Sequence, residues 1–277
     1  MPEPGAEGGD AVRPVAIERL AETARCAGDD RVASEEPLEI QVDGAPLAVL
    51  MRTPGRDHEL ALGFLLTEAV LGSPDELLAL RHESVTPDPA AGGNVIRALL
   101  RPGVRIDVEA QRRSFYAGSS CGVCGKASLE RVLRTAPPLE DASRFDPEVL
   151  YALPGRLREV QHAFDATGGL HAAALFDADG KLLVVREDVG RHNAVDKVVG
   201  WAAEQGRLPL GGHGLLVSGR VSFEIVQKAL AARIPLVAAV SAPTSLAVEL
   251  AAAGRVALVG FLRGRGFNVY AERERIA

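Results

Sequence analysis

Gly214 to Phe261, GLLVSGRVSFEIVQKALAARIPLVAAVSAPTSLAVELAAAGRVALVGF, is the stretch on which the fold turns. Three short apolar runs, GLLVS, PLVAAV and VALVGF, have the length of strands. Between them SFEIVQKALAAR and TSLAVELAAA carry no glycine or proline and bring their apolar residues round at helical spacing. Strand, helix, strand, helix, strand in that order predicts an α/β sheet with helices packed on it.

The same alternation extends upstream. LHAAALF and KLLVVRE flank Asp179-Gly180 and read as two more strands, followed by a helix NAVDKVVGWAAEQ. Before them Asp146-Pro147 caps a helix whose Val149, Leu150, Leu153, Leu157, Val160 and Phe164 share one face, with Pro154 expected to kink it or end its first segment. The proline-bearing TAPPLEDASRFDP connects this α/β part, residues 135–277, to an N-terminal α+β part, residues 15–134. There Leu38, Ile40 and Val42 alternate up to Asp43-Gly44 and the pattern resumes as PLAVLMR, a hairpin signal. A helix is expected over DHELALGFLLTEAVL and a second at Ser73-Pro74-Asp75-Glu76, where a capping serine precedes proline and glutamate. NVIRALL and VRIDVEA around Pro102-Gly103 suggest a further hairpin. Residues 1–14, rich in glycine, proline and glutamate, read as a disordered tail.

Nearly half of the 277 residues are apolar (47%), enough for a buried core, and the formal net charge is -6. An acidic chain lacks the basic face that a nucleic-acid partner requires, so any anion must be met locally. No apolar run is long enough to span a bilayer, and the opening residues have no secretory pattern. Three cysteines cannot form a disulfide framework, and two of them lie three residues apart. That count suggests a reducing compartment, the cytoplasm, and a reactive or metal-binding pair.

The pair sits in Ser119-Ser120-Cys121-Gly122-Val123-Cys124-Gly125-Lys126, just ahead of a helical ASLERVLR. A helix N-terminus and a nearby lysine both favour thiolate, and Gly118, Gly122 and Gly125 let the backbone bend. Structural zinc needs four ligands, and no second C-x-x-C or finger-spaced histidine accompanies the pair. A thiol-disulfide oxidoreductase places its pair early in a βαβ unit, whereas this loop follows a hairpin. Two buried structural cysteines sit poorly among so many glycines and serines. Sulfur transfer meets the fewest objections: one thiolate, Cys121, accepts the outer sulfur of a persulfide, and Cys124 assists its release by exchange. Cys26 is expected in a polar helix, without a role.

Four strand-to-helix junctions offer places for a nucleotide. They are Glu187-Asp188-Val189-Gly190-Arg191-His192-Asn193, Ser218-Gly219-Arg220-Val221-Ser222, Ser241-Ala242-Pro243-Thr244-Ser245 and Gly260-Phe261-Leu262-Arg263-Gly264-Arg265-Gly266. Asn193, Ser222 and Thr244 or Ser245 read as ordinary helix caps. Arg191, Arg220, Arg263 and Arg265 bring fork-shaped donors to one sheet end, Phe261 offers a face for a base, and Asp188 or Glu187 could accept from guanine. His171 and His192 are candidates for acid-base or cofactor contact. No P-loop and no G-x-G-x-x-G occurs.

SSCGVCGK, TGGLHAAA, EDVGRHNAVDKVVG, SGRVSFEIVQKA, SAPTSLAVELA and GFLRGRGFNVY together resemble the formate dehydrogenase accessory sulfurtransferase family, FdhD, over about Glu36 to Tyr270. The resemblance implies a three-layer α/β/α fold similar to cytidine deaminases but without their zinc, in a homodimer. It implies a carrier that takes persulfide sulfur from a cysteine desulfurase and sulfurates the molybdenum or tungsten bis-guanine-dinucleotide cofactor of formate dehydrogenase. The persulfide cysteine of the family falls on Cys121 and its cofactor segment on Phe261, Leu262, Arg263, Gly264, Arg265 and Gly266. Arg191, His192, Ser218, Gly219 and Arg220 complete the candidate cofactor site. A dithiol oxidoreductase and a non-catalytic cofactor escort are the alternatives.

Overall fold

A computed structural model of the chain describes residues 11–21, 24–83, 94–112 and 125–277. Its largest element is a six-stranded sheet built from β7 (His171–Phe176), β8 (Leu182–Asp188), β9 (Gly214–Val217), β10 (Leu236–Ala239), β11 (Ala257–Arg263) and β12 (Gly266–Ala271). The spatial order is β12-β11-β10-β9-β7-β8. β9, β10 and β11 are parallel; β7 runs against both β8 and β9, and β12 runs against β11. Strands β8, β9, β10 and β11 therefore point the same way.

Successive residues of each strand face opposite sides, so each strand feeds two cores. On one side Ala173, Leu175, Leu215, Val237 and Leu258 pack with Val198, Ile225 and Leu250. These last three come from α5 (Arg191–Glu204), α6 (Phe223–Ala231) and α7 (Ser245–Gly254). On the other side Ala172, Ala174, Leu216, Ala238 and Val259 pack with Leu150, Leu153 and Leu157 of α3 (Pro147–Arg158). Helices on both faces give the layered α/β arrangement that the pattern predicts. Each leucine fully buried here contributes roughly 1.5–3 kcal/mol.

Asp146 caps α3 as expected, its side chain accepting from Glu148 N. Pro154 does not end it: the helix runs on to Arg158, and the chain resumes as α4 (His162–Thr167) after a break of three residues.

The smaller sheet has the order β4-β3-β6-β5, with β3 (Glu36–Val42), β4 (Ala45–Arg52), β5 (Leu77–Glu83) and β6 (Val95–Leu100). The β3–β4 turn is the expected one, with Asp43 at φ 47° and Gly44 at φ 85°, the positive values a tight hairpin demands. α1 (Asp57–Thr67) follows. The helix expected at Ser73 is only a 3-10 turn, Pro74–Glu76, leading into β5. Ser73 caps it through Asp75 N, but the Glu76 carboxylate accepts from Gly72 N instead of closing the box. VRIDVEA does not pair with NVIRALL, because β6 has β3 on one side and β5 on the other; residues 108–112 are helical instead.

β1 (Val12–Ala21) and β2 (Ala24–Ala33) form a separate, largely exposed hairpin. It takes in Val12 to Pro14, which composition alone assigns to the tail, and both its strands are edges, where proline costs no ladder bond. Cys26 is exposed on β2, a strand and not a helix.

α1 joins the smaller sheet to the larger by crossing α5 at two glycines. A Cβ on Gly63 would lie 1.8 Å from the Asp196 carbonyl, and one on Gly200 would lie 1.8 Å from that of Glu59. Among the described residues no helix is long and apolar enough to cross a membrane.

Candidate functional site

Strand direction decides what meets at the edge of the sheet. The C-terminal ends of β8, β9, β10 and β11 and the N-terminal ends of β7 and β12 lie together, so all four junctions picked out in the sequence converge on one side. Loops at that side open into helix N-termini, where unpaired N–H groups point outward.

At the β8 and β9 ends, α5 starts at Gly190 and α6 at Ser222, and neither start has a side-chain cap bonded to its backbone. Gly219 leaves room for His171: an added Cβ would sit 3.2 Å from His171 Nδ1 and 4.0 Å from Arg191 Cβ. Ser218 is used structurally, its Oγ accepting from Ala172 N at 2.9 Å and so tying β9 to β7. Arg191 has its Nε buried with no hydrogen-bond partner among the described residues. Arg220 is exposed and forms no ion pair among them.

Ser222 turns its hydroxyl away from the cap role. His192 Nε2 lies 3.1 Å from Ser222 Oγ, and Ser222 also hydrogen-bonds the Glu224 carboxylate, holding that group below its usual range against the effect of burial. A carboxylate only accepts, so the Ser222 hydroxyl donates to Glu224 and His192 Nε2–H donates to Ser222 Oγ. Either protonation state could make that bond; burial and the charges of Arg191 and Lys228 make the ring neutral by pushing its pKa down to about 4. Burial and Arg191 also lower His171, with Asp188 opposing. His171 and His192 thus both lie within the field of the Arg191 guanidinium.

The carboxylates read as guanine acceptors are otherwise engaged. Asp188 is completely buried; it takes Thr53 N at 3.2 Å, Gly190 N at 2.8 Å, Asn193 Nδ2 at 2.9 Å and Lys197 Nζ at 2.7 Å. Glu187 accepts from Ala163 N and Phe164 N, capping α4. Asn193 is no helix cap: it lies in the first turn of α5 and donates to Met51 O as well as to Asp188. Thr244 does cap α7, through Ala247 N.

At the β11–β12 turn the ladder breaks between Gly260 and Arg263, and Phe261 adopts φ 55°. A positive φ is costly for a bulky side chain and is characteristic of strained functional positions. Phe261 is 37% exposed, and the Arg263 guanidinium stands 5.8 Å from its ring centroid. Gly264, at φ 56°, makes the turn. Arg265 is less free than Arg263: it bonds Glu148 at 2.6 Å and lies over the Tyr151 ring. Leu262 points into the core, so only its backbone faces the site.

Cys121 and Cys124 lie outside the described residues. The helix that follows them, α2 (Gly125–Thr135), packs Val132 into the main core, and just beyond it Leu139 N bonds Gly254 O at the C-terminus of α7. Thr53 and Met51, which hold the floor of the site through Asp188 and Asn193, carry no motif, and Lys197 lies in one without its role being readable there; the packing of the two sheets discloses all three.

The sequence profile of the FdhD/NarQ family matches residues 33–277. The chain belongs to that family. Among FdhD relatives, the sulfur carrier protein FdhD of Streptomyces avermitilis is 52% identical over 94% of this chain and 93% of its own length. That of Mycobacterium tuberculosis is 52% identical over 89% and 92%, and that of Sulfurisphaera tokodaii 41% over 96% and 99%. The fold is shared with the crystal structure of a formate dehydrogenase accessory protein from Desulfotalea psychrophila. Its TM-score is 0.76 at 23% identity, covering 97% of this chain and all of that one. Family membership places this chain among proteins named as sulfur carriers.

Proposed function

We propose that the protein is a sulfurtransferase that passes persulfide sulfur to a molybdenum or tungsten bis-guanine-dinucleotide cofactor needed by formate dehydrogenase. The cofactor is its substrate. The Cys121 thiolate attacks the outer sulfur of a cysteine desulfurase persulfide; the donor S–S bond breaks, the donor leaves as thiolate, and a new S–S bond forms on Cys121. Cys124 thiolate then attacks the inner sulfur, expelling the outer one as sulfide toward the metal and leaving a Cys121–Cys124 disulfide. A dithiol reductant resets the pair.

The observation that carries the reading is the orphaned Arg191 Nε beside two helix starts, α5 and α6, whose N-cap residues make no side-chain cap bond. A buried donor without a partner costs about 1–3 kcal/mol and is relieved by an anionic ligand such as a diphosphate. Phe261 and Arg263 supply a stacking face and a cation at the neighbouring turn, and the relatives compared above are named sulfur carriers. The first strand of the large sheet runs against the four that follow it, in support of a cytidine deaminase-like arrangement. The protein acts in the cytoplasm as a homodimer in this reading.

Incubation with a cysteine desulfurase and cysteine should add a sulfur atom to the peptide containing Cys121, read by mass spectrometry under non-reducing conditions. Cys121→Ala should keep guanine-nucleotide binding and abolish activation of formate dehydrogenase. An internal disulfide formed without release of sulfide would instead favour the oxidoreductase, and retained activation the escort.

A further inference from the structure

We propose that Asn268 selects guanine over adenine in the bound nucleotide, an inference that rests on the reading of the β11–β12 turn as the nucleotide site. Along its pairing edge guanine presents N–H donors at N1 and N2 beside the O6 acceptor; adenine presents the N6 donor beside the N1 acceptor. A guanine site therefore needs an acceptor facing N1 and N2. Asp188 and Glu187 are spent on Lys197 and on backbone N–H groups, and Glu148 is held by Arg265.

Of the polar side chains from Gly260 to Tyr270, Arg263 and Arg265 are donors only. Asn268 is exposed and stands opposite Gly260 in the ladder, next to the residue that precedes Phe261. Its Nδ2 donates to the Tyr270 hydroxyl at 3.3 Å. Tyr270 is itself fixed against β11, since a Cβ on Gly260 would come within 3.0 Å of its Cε2. This tether spends one N–H of the carboxamide and leaves Oδ1 as an acceptor, with the second N–H available to O6. Phe261, Arg263 and Asn268 then offer a stacking face, a cation and an edge reader on adjoining positions of one turn.

The test is equilibrium titration of the full chain with GDP and with ADP. The unmodified protein should prefer GDP. Asn268→Ala should weaken GDP by about tenfold and leave ADP unchanged, the loss of one hydrogen bond to the guanine edge. Asn268→Asp should keep the preference, because a carboxylate accepts from both N1–H and N2–H. Arg263→Ala should weaken both nucleotides alike. An unchanged GDP-to-ADP ratio in Asn268→Ala, with Arg263→Ala still weakening both, overturns the assignment of Asn268 and leaves the turn as the site. Binding of neither nucleotide by the unmodified protein, or no effect of Arg263→Ala, removes the site at the turn and the proposal with it.

Discussion

Lys197 places its ammonium 2.7 Å from the Asp188 carboxylate, and both side chains are almost wholly shut off from water. The pair joins three parts of the chain, because Asp188 also binds Thr53 N and Lys197 also donates to Thr53 O. Losing one partner strands the other charge in the interior at a cost of about 3–5 kcal/mol. Asp188→Ala and Lys197→Met should each lower stability by that order in urea denaturation. The double variant should lose less than the sum, since no lone charge remains.

The crossing of α1 and α5 has no room for a methyl group. Gly63→Ala or Gly200→Ala would drive a Cβ into a backbone carbonyl, and neither helix can yield without parting the two sheets. Either change should cost about 1–3 kcal/mol or more. Gly155 is the control: it lies within α3 with nothing within 4 Å of its Cβ position. Gly155→Ala should raise stability by roughly 0.5–1 kcal/mol through helix propensity. Thermal melts of the three variants check both signs.

The pattern of strands and helices from Asp146 onward was legible because its signals are local: apolar runs of strand length, Asp146 as a cap, glycine at turns. From strand direction the convergence of the four junctions followed. What escaped was set by distant partners. Asp188 looks like a free acceptor until Thr53, 135 positions away, occupies it, and Asn193 looks like a cap until Met51, 142 positions away, claims its amide. Leu262 falls in a motif yet packs inward because the β-bulge at Phe261 shifts the alternation. At Ser73 the capping signals were present, but Glu76 bonds Gly72 and the next residues are drawn into β5 beside β6.

His192 gives the pH dependence a definite sign. Its pKa falls from 6.5 in the unfolded chain to about 4 in the fold, through burial and the charges of Arg191 and Lys228. The unfolded state therefore takes up the proton first on acidification. The contribution is fully present above pH 6.5 and is lost as pH falls toward 4. Ring resonances of His192 should show a neutral imidazole at pH 7 with a midpoint near 4. His192→Gln should flatten the loss of stability between those limits; a midpoint near 6.5 would contradict the burial and the Arg191 and Lys228 charges that hold the ring neutral.

Arg191 sets stability against binding. Its Nε is buried without a partner, so the folded protein bears a cost that a ligand would remove. Arg191→Met keeps the apolar stem and discards the orphan donor together with the charge. The variant should melt at the same temperature as the unmodified protein or higher, by up to about 1 kcal/mol of stability, while its affinity for GDP falls by about tenfold or more. Loss of that charge should also raise the pKa of both His171 and His192, which it depresses. Arg191→Lys separates charge from geometry: it should restore the histidine titrations but not the affinity, because an ammonium cannot reproduce the guanidinium fork toward a diphosphate. Calorimetry, titration and ring resonances measured on the two variants decide whether the orphan donor is a ligand contact or a packing defect.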